Sequence, residues 1–367
     1  MSDNRDLRSL PKAHLHLHLE GAMRRETLLD LCDRYDITPP ADTRGQRFDN
    51  FGGFNQLYWA ACECIRSRGD LARLVLEVAE DAAAQGAIWI EPAFDAVRYS
   101  VLRQDSLHRL FENQEAGWRF ILDAAATASR ATGVGIAFIS AIDRTRPLTD
   151  ALERARITAN LVRADAHYVQ SGMKCFDGQY AGIVAVGLHG NEEGFPPGPF
   201  AEAFRVATSD TNLLSTPHAG EIAPSAGAGA DSVADAIDHL GADRILHGVL
   251  AATDPALVER LARENICLDV CPSSNLQLSV FSSVDAHPLP ELLAAGVPCT
   301  LASDDPLLFG PDLVDEFELC RRHMGLSDQQ LAALARNSFT YSGAPDKVKS
   351  AGLNAVDDWL NATGSGC

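Results

Sequence analysis

The sequence predicts an α/β fold, a (β/α)8 TIM barrel with extra helices after the first strand and at the C-terminus. Short runs rich in Val and Ile alternate with longer helical patterns, and unusual polar residues collect where those runs end. A doubly wound open sheet has the same alternation and remains the competing fold. We expect one domain over residues 1–367. The predicted strands span residues 13–19, 87–93, 134–142, 182–188, 212–218, 244–248, 266–271 and 297–303.

The first predicted strand lies in the segment PKAHLHLHLEG (11–21), which has a polar residue at every second position: His14, His16, His18 and Glu20. Because side chains alternate faces along a strand, these four point to one side, and the alanine and leucines between them point to the other. His-rich tracts are a recognised metal-binding signal. The tract alone identifies neither the metal nor the reaction.

Two segments add to the alternation of strand and helix. Residues 20–86, after the first strand, predict two or three extra helices and include the aromatic stretch FDNFGGFNQLYW. An added packing layer and a lid over a pocket explain that stretch equally well. Residues 326–361 predict closing helices.

The composition restricts the class of protein. The 367 residues, 46% of them apolar, can bury a large core, and the formal net charge of −19 argues against a nucleic-acid partner. The start, MSDNRDLRSLPK, lacks the apolar stretch of a signal peptide, and no apolar run approaches the ~20 residues of a membrane span. The nine cysteines are scattered and form no paired zinc motif. We therefore expect free thiols, no membrane association and a cytoplasmic location, with the oligomeric state left open.

Catalytic residues of a (β/α)8 barrel come from the C-terminal ends of several strands. Four predicted strand ends offer histidines and carboxylates: His16 and His18 on the first, His218 and Glu221 in TPHAGE, His247 in ILHG, and Asp304 and Asp305 in ASDDP. Zinc accepts imidazole nitrogens and carboxylate oxygens, and a catalytic zinc site keeps one position for a water whose pKa falls to about 7. Iron, cobalt or manganese accept the same ligands, so the residues indicate a metal site more specifically than a metal.

The motifs PKAHLHLHLEG, TPHAGE, ILHGV, CPSSNLQL and LASDDPLLF resemble those of the adenosine deaminase family within the amidohydrolases, in order and in approximate spacing. The resemblance covers nearly the whole chain, and it implies a single metal-dependent hydrolase domain with one Zn²⁺. The implied zinc ligands are His16, His18, His218 and Asp304. His14 lies one strand step further from the rim, so we expect it to be a buried, hydrogen-bonded histidine and not a ligand.

The family's chemistry is hydrolysis at C6 of a 6-aminopurine, in which N1 and the departing ammonia each take up a proton. Glu221 is expected to protonate N1, so burial must raise its pKa. His247, beside the metal position, can accept or orient the proton of the attacking water. Asp305 would hold the purine at N7, and the backbone N–H of Gly190, in GLHGNE, would hold N3.

Several features bear on the substrate. Glu20 stands where nucleoside-specific members commonly have an Asp that contacts the ribose, and Leu246 stands where glycine is usual, which affects the expected pocket shape. The segment NEEGFPPGPF resembles relatives that act on free adenine or on aminodeoxyfutalosine. For His189, a structural role and a pocket role are equally supported. We expect a purine nucleoside substrate, adenosine or 2′-deoxyadenosine, with a 5′-modified nucleoside such as aminodeoxyfutalosine, or free adenine, as the alternative.

Three other classes of protein share part of this pattern. Amidohydrolases that cleave phosphoesters or lactams often use a carboxylated lysine and two metals, and the fourth predicted strand has no evident lysine at its end. Deaminases of the cytidine type need H-x-E and P-C-x-x-C motifs, which the sequence lacks. A metal- or nucleoside-binding protein without catalysis would not require Glu221 and His247, so their presence favours an enzyme.

Overall fold

The protein is described from a computed structural model that covers residues 5–100, 108–164, 173–176, 179–223 and 225–362. Strands lie at all eight predicted positions. Within these residues the strands are β1 (Lys12–His18), β2 (Ala87–Phe94), β3 (Gly135–Asp143), β4 (Met173–Phe176), β5 (Gln179–His189), β6 (Leu214–Ser215), β7 (His218–Ala219), β8 (Arg244–His247), β9 (Cys267–Val270) and β10 (Cys299–Leu301).

Parallel pairing joins these strands into a barrel. One run has the order β1-β2-β3-β5, with β6 on the far side of β5, and the other has the order β10-β9-β8-β7. The two runs meet beside β1, where His18 N–H donates to the Asp304 carbonyl over 3.1 Å and Asp304 N–H donates to the His16 carbonyl over 3.3 Å. This seam confirms the (β/α)8 barrel and excludes the open sheet.

The fifth predicted strand, 212–218, differs most from its prediction. It consists of two fragments, β6 paired with β5 and β7 paired with β8. Pro217 lies between them and has no N–H to give to a ladder. The connection still bridges both neighbours, because Thr216 N–H donates to the Val186 carbonyl over 2.9 Å and Leu246 N–H to the Pro217 carbonyl over 3.0 Å.

An additional strand, β4, runs antiparallel to β5 and is absent from the predicted set. The sequence has an Asp-Gly pair between the two apolar runs, which is a hairpin signal. The run from Met173 to Phe176 is only four residues long, too short for its alternation to stand out from a helical pattern.

Helices cover the outside of the barrel and confirm the extra ones predicted after β1 and at the C-terminus. The insert after β1 contributes α1 and α2 before the helix that leads into β2. The helices are α1 (Arg25–Arg34), α2 (Phe51–Glu63), α3 (Arg68–Ala84), α4 (Gln114–Thr132), α5 (Leu148–Ala164), α6 (Ala201–Thr208), α7 (Ala226–Leu240), α8 (Pro255–Glu264), α9 (Pro272–Gln277), α10 (Leu289–Ala294), α11 (Pro306–Phe309), α12 (Leu313–His323), α13 (Asp328–Thr340) and α14 (Asp346–Asn361). Among the described helices, none combines the length and the apolar character that crossing a membrane requires.

Local sequence signals fix several helix ends. At the start of α3, the Ser67 side chain accepts from the Asp70 N–H while the Asp70 carboxylate accepts from the Ser67 N–H, which satisfies two otherwise unpaired backbone donors. Ser327 and Gln330 make the same reciprocal pair at the start of α13. Gly133 ends α4 in the left-handed conformation (φ 81°), which only glycine adopts without strain.

A buried ion network joins three strands of the barrel. Arg244, the first residue of β8, is fully buried; its Nε lies 2.5 Å from Asp269 Oδ2 and its Nη2 lies 2.7 Å from Glu91 Oε2. Its Nη1 donates to the Tyr341 carbonyl over 2.7 Å, which connects β2, β8 and β9 to the chain after α13. Buried charges are tolerated only when they are paired and hydrogen-bonded, so each member of this network requires the others.

Replacing Arg244 by Met should destabilise the fold. The substitution preserves most of the side-chain volume but leaves the Asp269 and Glu91 carboxylates buried without their counter-charge, a change that typically costs about 3–5 kcal/mol of the free energy of unfolding. Urea denaturation, monitored by circular dichroism, measures this loss in the free energy of unfolding. Arg205→Met is the matched control, because its pair with Glu202 is on the surface, and it should leave the denaturation midpoint nearly unchanged. Equal midpoints for the two variants would contradict the stabilising role of the network.

Candidate active site

Three histidines and one carboxylate converge at the C-terminal rim of the barrel. His16 and His18 end β1, His218 begins β7 and Asp304 follows β10. Asp304 Oδ1 lies 3.4 Å from His16 Nε2 and 3.3 Å from His18 Nε2, and the candidate ligand atoms of all four residues lie within 4.8 Å of one another. The structure thus brings the four predicted ligands together around one point.

The outer nitrogens of two of these rings are held by backbone carbonyls. His16 Nδ1 lies 3.3 Å from the Asp269 carbonyl oxygen, and His218 Nδ1 lies 3.1 Å from that of Leu188. A carbonyl oxygen can only accept, so the proton of each neutral ring is on Nδ1 and the Nε2 lone pair is free. Among the described residues, the fully buried Nε2 of His16 has no hydrogen-bond partner. Such unprotonated, converging nitrogens beside a carboxylate fit a divalent metal ion.

His14, the third histidine of the strand, faces elsewhere. Its Nε2 accepts the Ser303 N–H over 3.0 Å, and the side chain is only 3% exposed. The nitrogen that would bind a metal is therefore occupied in holding the segment before Asp304. The structure places His14 outside the cluster of His16, His18 and Asp304, as the strand step predicts.

Glu221 and His247 lie beside the cluster. His247 Nε2 is 3.5 Å from Glu221 Oε1 and 3.8 Å from Asp304 Oδ2, and both side chains are buried. Burial, reinforced by the nearby Asp304 charge, raises the pKa of Glu221 well above its usual 4.5. Next to the convergent ligands, burial thus favours the protonated form of the Glu221 carboxyl group.

Strained backbone accompanies this geometry. His247 and Asp304 have φ values of 65° and 59°, in the left-handed region that non-glycine residues seldom adopt. A residue held there costs about 1–3 kcal/mol and persists only where its surroundings enforce it. His247 ends β8 and Asp304 follows β10, so both strained residues lie at the rim beside the cluster.

A carboxylate that the sequence reasoning missed holds the Glu221 loop. Glu192, 6% exposed, accepts the Gly220 N–H over 2.7 Å with Oε1, and the Glu221 and Ile222 N–H groups over 3.0 and 3.2 Å with Oε2. A buried carboxylate that accepts three successive backbone donors fixes the path of that loop. Glu192 lies two residues after Gly190 in GLHGNE, but its partners are about thirty residues away along the chain, so no local pattern indicates them.

A cavity of about 280 Å³ opens over the cluster. Phe51, Tyr58 and Trp59 of α2 line it, while Phe54 both lines it and stacks on Phe309 with ring centroids 5.2 Å apart. The aromatic stretch after β1 therefore serves as packing layer and as cavity wall. The other residues that line the cavity are His18, Glu20, Asn55, Ala93, Phe94, Asp95, Arg98, Ala141, Asp143, Thr145, Arg146, His189, Gly190, Asn191, His218, Glu221, Asp304 and Asp305.

Glu20 lies in the cavity wall with most of its acceptor positions occupied. Oε1 accepts from Tyr99 Oη over 2.8 Å and lies 3.1 Å from Arg98 Nη1, and Oε2 accepts from Tyr58 Oη over 3.1 Å. Arg98 in turn lies over the Trp59 ring, 4.5 Å from its centroid. A carboxylate has about four acceptor positions, and the contacts above occupy three of them, so among the described residues one position on Oε2 is left for a ligand. Sequence reasoning found Glu20 but not the two tyrosines and the arginine that hold it.

Asp305 and Gly190 both line the cavity. Asp305 Oδ1 is buried and has no partner among the described residues, and burial together with the Asp304 charge raises the pKa of Asp305 well above 3.8. A Cβ on Gly21 would overlap the Asp305 carboxylate, so the glycine of HLEG makes room for it. Gly190 has φ 93°, and its Cβ position would lie 3.1 Å from Asp143 Oδ1. Both predicted residues therefore border the cavity.

The structure also locates His189 and Leu246, whose effect on the pocket was a question raised by the sequence. His189 lines the cavity, 7% exposed, with its ring centroid 4.4 Å from that of His218; neither ring nitrogen has a partner among the described residues. The location of His189 therefore favours a role in the pocket over a purely structural role. Leu246 packs in the apolar core and is not among the described residues that line the cavity, so the expected effect of Leu246 on pocket shape was wrong.

Comparisons with known proteins identify the family of this chain. The profile of the family described as "Adenosine deaminase" matches residues 11–359. The chain is 40% identical to the "Putative adenosine/adenine deaminase" of Streptomyces virginiae, over 98% of this chain and 99% of that protein. It is 32% identical to the aminodeoxyfutalosine deaminase of Acidothermus cellulolyticus, over 86% of this chain and 83% of that protein.

A solved structure extends the comparison to the fold. The crystal structure of an adenine deaminase from Arthrobacter aurescens matches with a TM-score of 0.80 at 30% identity, covering 96% of this chain and 99% of that one. Motifs, barrel and relatives therefore lead to one conclusion: the chain belongs to the adenosine deaminase family and is a hydrolytic deaminase.

Proposed function

We propose that the protein is a zinc-dependent deaminase of a 6-aminopurine nucleoside, converting adenosine or 2′-deoxyadenosine to inosine or 2′-deoxyinosine and ammonia. The observation that carries the proposal is the convergence of three imidazole nitrogens and one carboxylate beside Glu221, a buried carboxyl group with a raised pKa. A site that only bound metal would not require a proton donor at this place.

His16, His18, His218 and Asp304 are the residues that would hold the ion. Three neutral nitrogens and one carboxylate leave a net positive centre, and zinc favours this mixture of ligands. When bound, zinc supplies a water acidic enough to act as a nucleophile at neutral pH. The chain's contribution is to keep the Nε2 atoms of His16 and His218 unprotonated through their carbonyl partners at Nδ1.

The other site residues would hold the purine by matching its donors and acceptors. N1, N3 and N7 of a 6-aminopurine are all acceptors, so each needs a donor from the protein. Burial raises the pKa of Glu221 and of Asp305, which favours their protonated forms, and in those forms they would donate to N1 and N7. The Gly190 N–H would donate to N3. Protonation of N1 by Glu221 makes C6 electron-poor and open to attack.

The shape of the cavity favours a nucleoside over a free base. A purine between Glu221, Asp305 and Gly190 leaves the part of the cavity beside Glu20, Phe51 and Trp59 for a sugar. The remaining acceptor position of Glu20 would take a sugar hydroxyl. Relatives named for adenine and for aminodeoxyfutalosine keep those two substrates as the alternatives.

Removing the metal should abolish activity, and zinc should restore it, because no other group of the site can generate a nucleophile from water at neutral pH. His16→Asn should reduce the zinc content measured by elemental analysis. His14→Asn is the matched control on the same strand and should retain zinc, since His14 Nε2 is bound to the Ser303 N–H. Full activity in metal-free protein, or equal zinc loss in both variants, would contradict the assignment.

Glu221→Gln preserves the shape of the side chain but has no acidic proton for N1. We expect kcat for adenosine to fall at least ~10²-fold, the usual size of a general-acid contribution, with KM changed far less. The decrease in ultraviolet absorbance as adenosine becomes inosine measures the rate. Glu193→Gln, an exposed residue, is the control and should retain wild-type kcat. A Glu221→Gln enzyme with near wild-type kcat would remove Glu221 from this role.

Glu20→Asp should shift preference among nucleosides. The shorter side chain would enlarge the sugar space, and pocket changes of one methylene alter discrimination by ~1–3 kcal/mol, or ~10- to 200-fold. We expect kcat/KM for adenosine to rise relative to 5′-modified adenosines, measured beside 2′-deoxyadenosine and adenine. Glu63→Asp, the same change at an exposed position at the end of α2, should leave these ratios unchanged. A wild-type enzyme much faster on adenine than on any nucleoside would refute the sugar contact.

A further inference from the structure

The rim histidines differ in what faces their second ring nitrogen. For the proposed ligands His16 and His218, Nδ1 lies against a backbone carbonyl, an acceptor, so the ring proton is on Nδ1 and Nε2 is bare. For His247, Nδ1 lies 3.5 Å from the Nδ2 atom of the Asn275 side-chain amide. Which end of that amide faces His247 decides where the His247 proton is.

Hydrogen bonds run from His247 through Asn275 to His287, and the far end of this series fixes the orientation of the Asn275 side-chain amide. The Leu289 N–H, which can only donate, lies 3.2 Å from His287 Nδ1, so this nitrogen accepts. Burial lowers the pKa of His287 to about 4, so its neutral ring has its single proton on Nε2. His287 Nε2 then donates to Asn275 Oδ1 over 3.1 Å. The reversed amide would oppose two donors at His287, so the NH2 group must face His247.

The same order of donors and acceptors continues from Asn275 to His247 at the rim. With the Asn275 NH2 group as its neighbour, His247 Nδ1 accepts, and the proton of the neutral His247 ring is on Nε2. Two carboxylate oxygens lie near that Nε2, Glu221 Oε1 at 3.5 Å and Asp304 Oδ2 at 3.8 Å. Both can accept, which agrees with a donor at this position.

We propose that His287 and Asn275 are positioning residues that hold His247 with its proton on Nε2, so that His247 orients the attacking water and does not accept its proton. The proposal rests on the function proposed above and selects between the two roles that the sequence left open for His247. Proton acceptance then falls to Glu221, which becomes a carboxylate once it has given its own proton to N1. Asn275 lies in CPSSNLQL, and His287 follows 12 residues later.

Nitrogen-15 NMR of the zinc-loaded enzyme tests the proton position directly. With ¹⁵N-labelled histidine, the ring couplings of His247, assigned by comparison with His247→Gln, should show a protonated Nε2 and an unprotonated Nδ1. A proton on Nδ1 would overturn the proposal. Because the measurement needs no turnover, the position of the His247 proton is tested separately from the deaminase assignment. An inactive protein with this pattern would contradict the proposed function and leave the positioning role intact.

Substitutions test whether the hydrogen bonds of Asn275 and His287 control the position of the His247 ring proton. Asn275→Asp places an acceptor opposite both rings, so the His247 proton should move to Nδ1 and kcat should fall about tenfold or more, with zinc content retained and KM nearly unchanged. An unchanged NMR pattern and kcat in this variant would contradict the proposal.

A second pair of variants is independent of any folding defect in Asn275→Asp. In His287→Gln, the amide oxygen can accept the Leu289 N–H and the amide nitrogen can donate to Asn275 Oδ1, so the polarity is preserved. His287→Leu has a similar volume but can do neither. We expect His287→Gln to retain most of the kcat that His287→Leu loses, with the Nε2 proton of His247 preserved only in the former. Equal kcat and equal NMR patterns in the two variants would overturn the positioning role.

Discussion

The backbone seam between β1 and the chain after β10 is the contact on which the site depends. Two hydrogen bonds, His18 N–H to the Asp304 carbonyl and Asp304 N–H to the His16 carbonyl, close the barrel there. The same two bonds bring the Asp304 carboxylate within 3.4 Å of both His16 and His18. Closing the barrel and assembling the cluster are therefore one event, since the first and last strands supply three of the four candidate ligands.

Electrostatics sets the cost of this arrangement. Glu221, Asp304 and Asp305 are carboxyl groups buried within one rim, and burial of a charged group without a counter-charge is strongly unfavourable. Burial raises the pKa of Glu221 and Asp305, which favours their uncharged forms and lowers this cost, while Asp304 faces the histidines. A bound cation would offset the remaining charge, so the groups that make the rim costly without metal are those that the proposed chemistry uses.

What the sequence could predict follows from the range of each interaction. The period-two pattern of His14, His16 and His18 is local, and the barrel rule converts strand ends into a shared rim, so the fold and the convergence of the ligands were predictable. The two-fragment fifth strand follows from one proline whose consequence depends on both neighbouring strands. Glu192, Arg98 and Asn275 were missed because their partners lie dozens of residues away, or face them only after the barrel closes.

The histidines show most clearly why residue type alone does not determine role. His14, His16, His218 and His247 are all buried imidazoles near one rim, yet they differ in the group opposite one ring nitrogen. A carbonyl at Nδ1 leaves Nε2 of His16 and His218 free as a ligand, a backbone N–H occupies Nε2 of His14, and an amide NH2 at Nδ1 leaves the proton of His247 on Nε2. Each of these partners is contributed by a different segment of the closed barrel: β9, β5, the segment after β10 and helix α9. The chemistry of the rim is therefore set by hydrogen-bond polarity, which the packing of distant segments imposes on identical side chains.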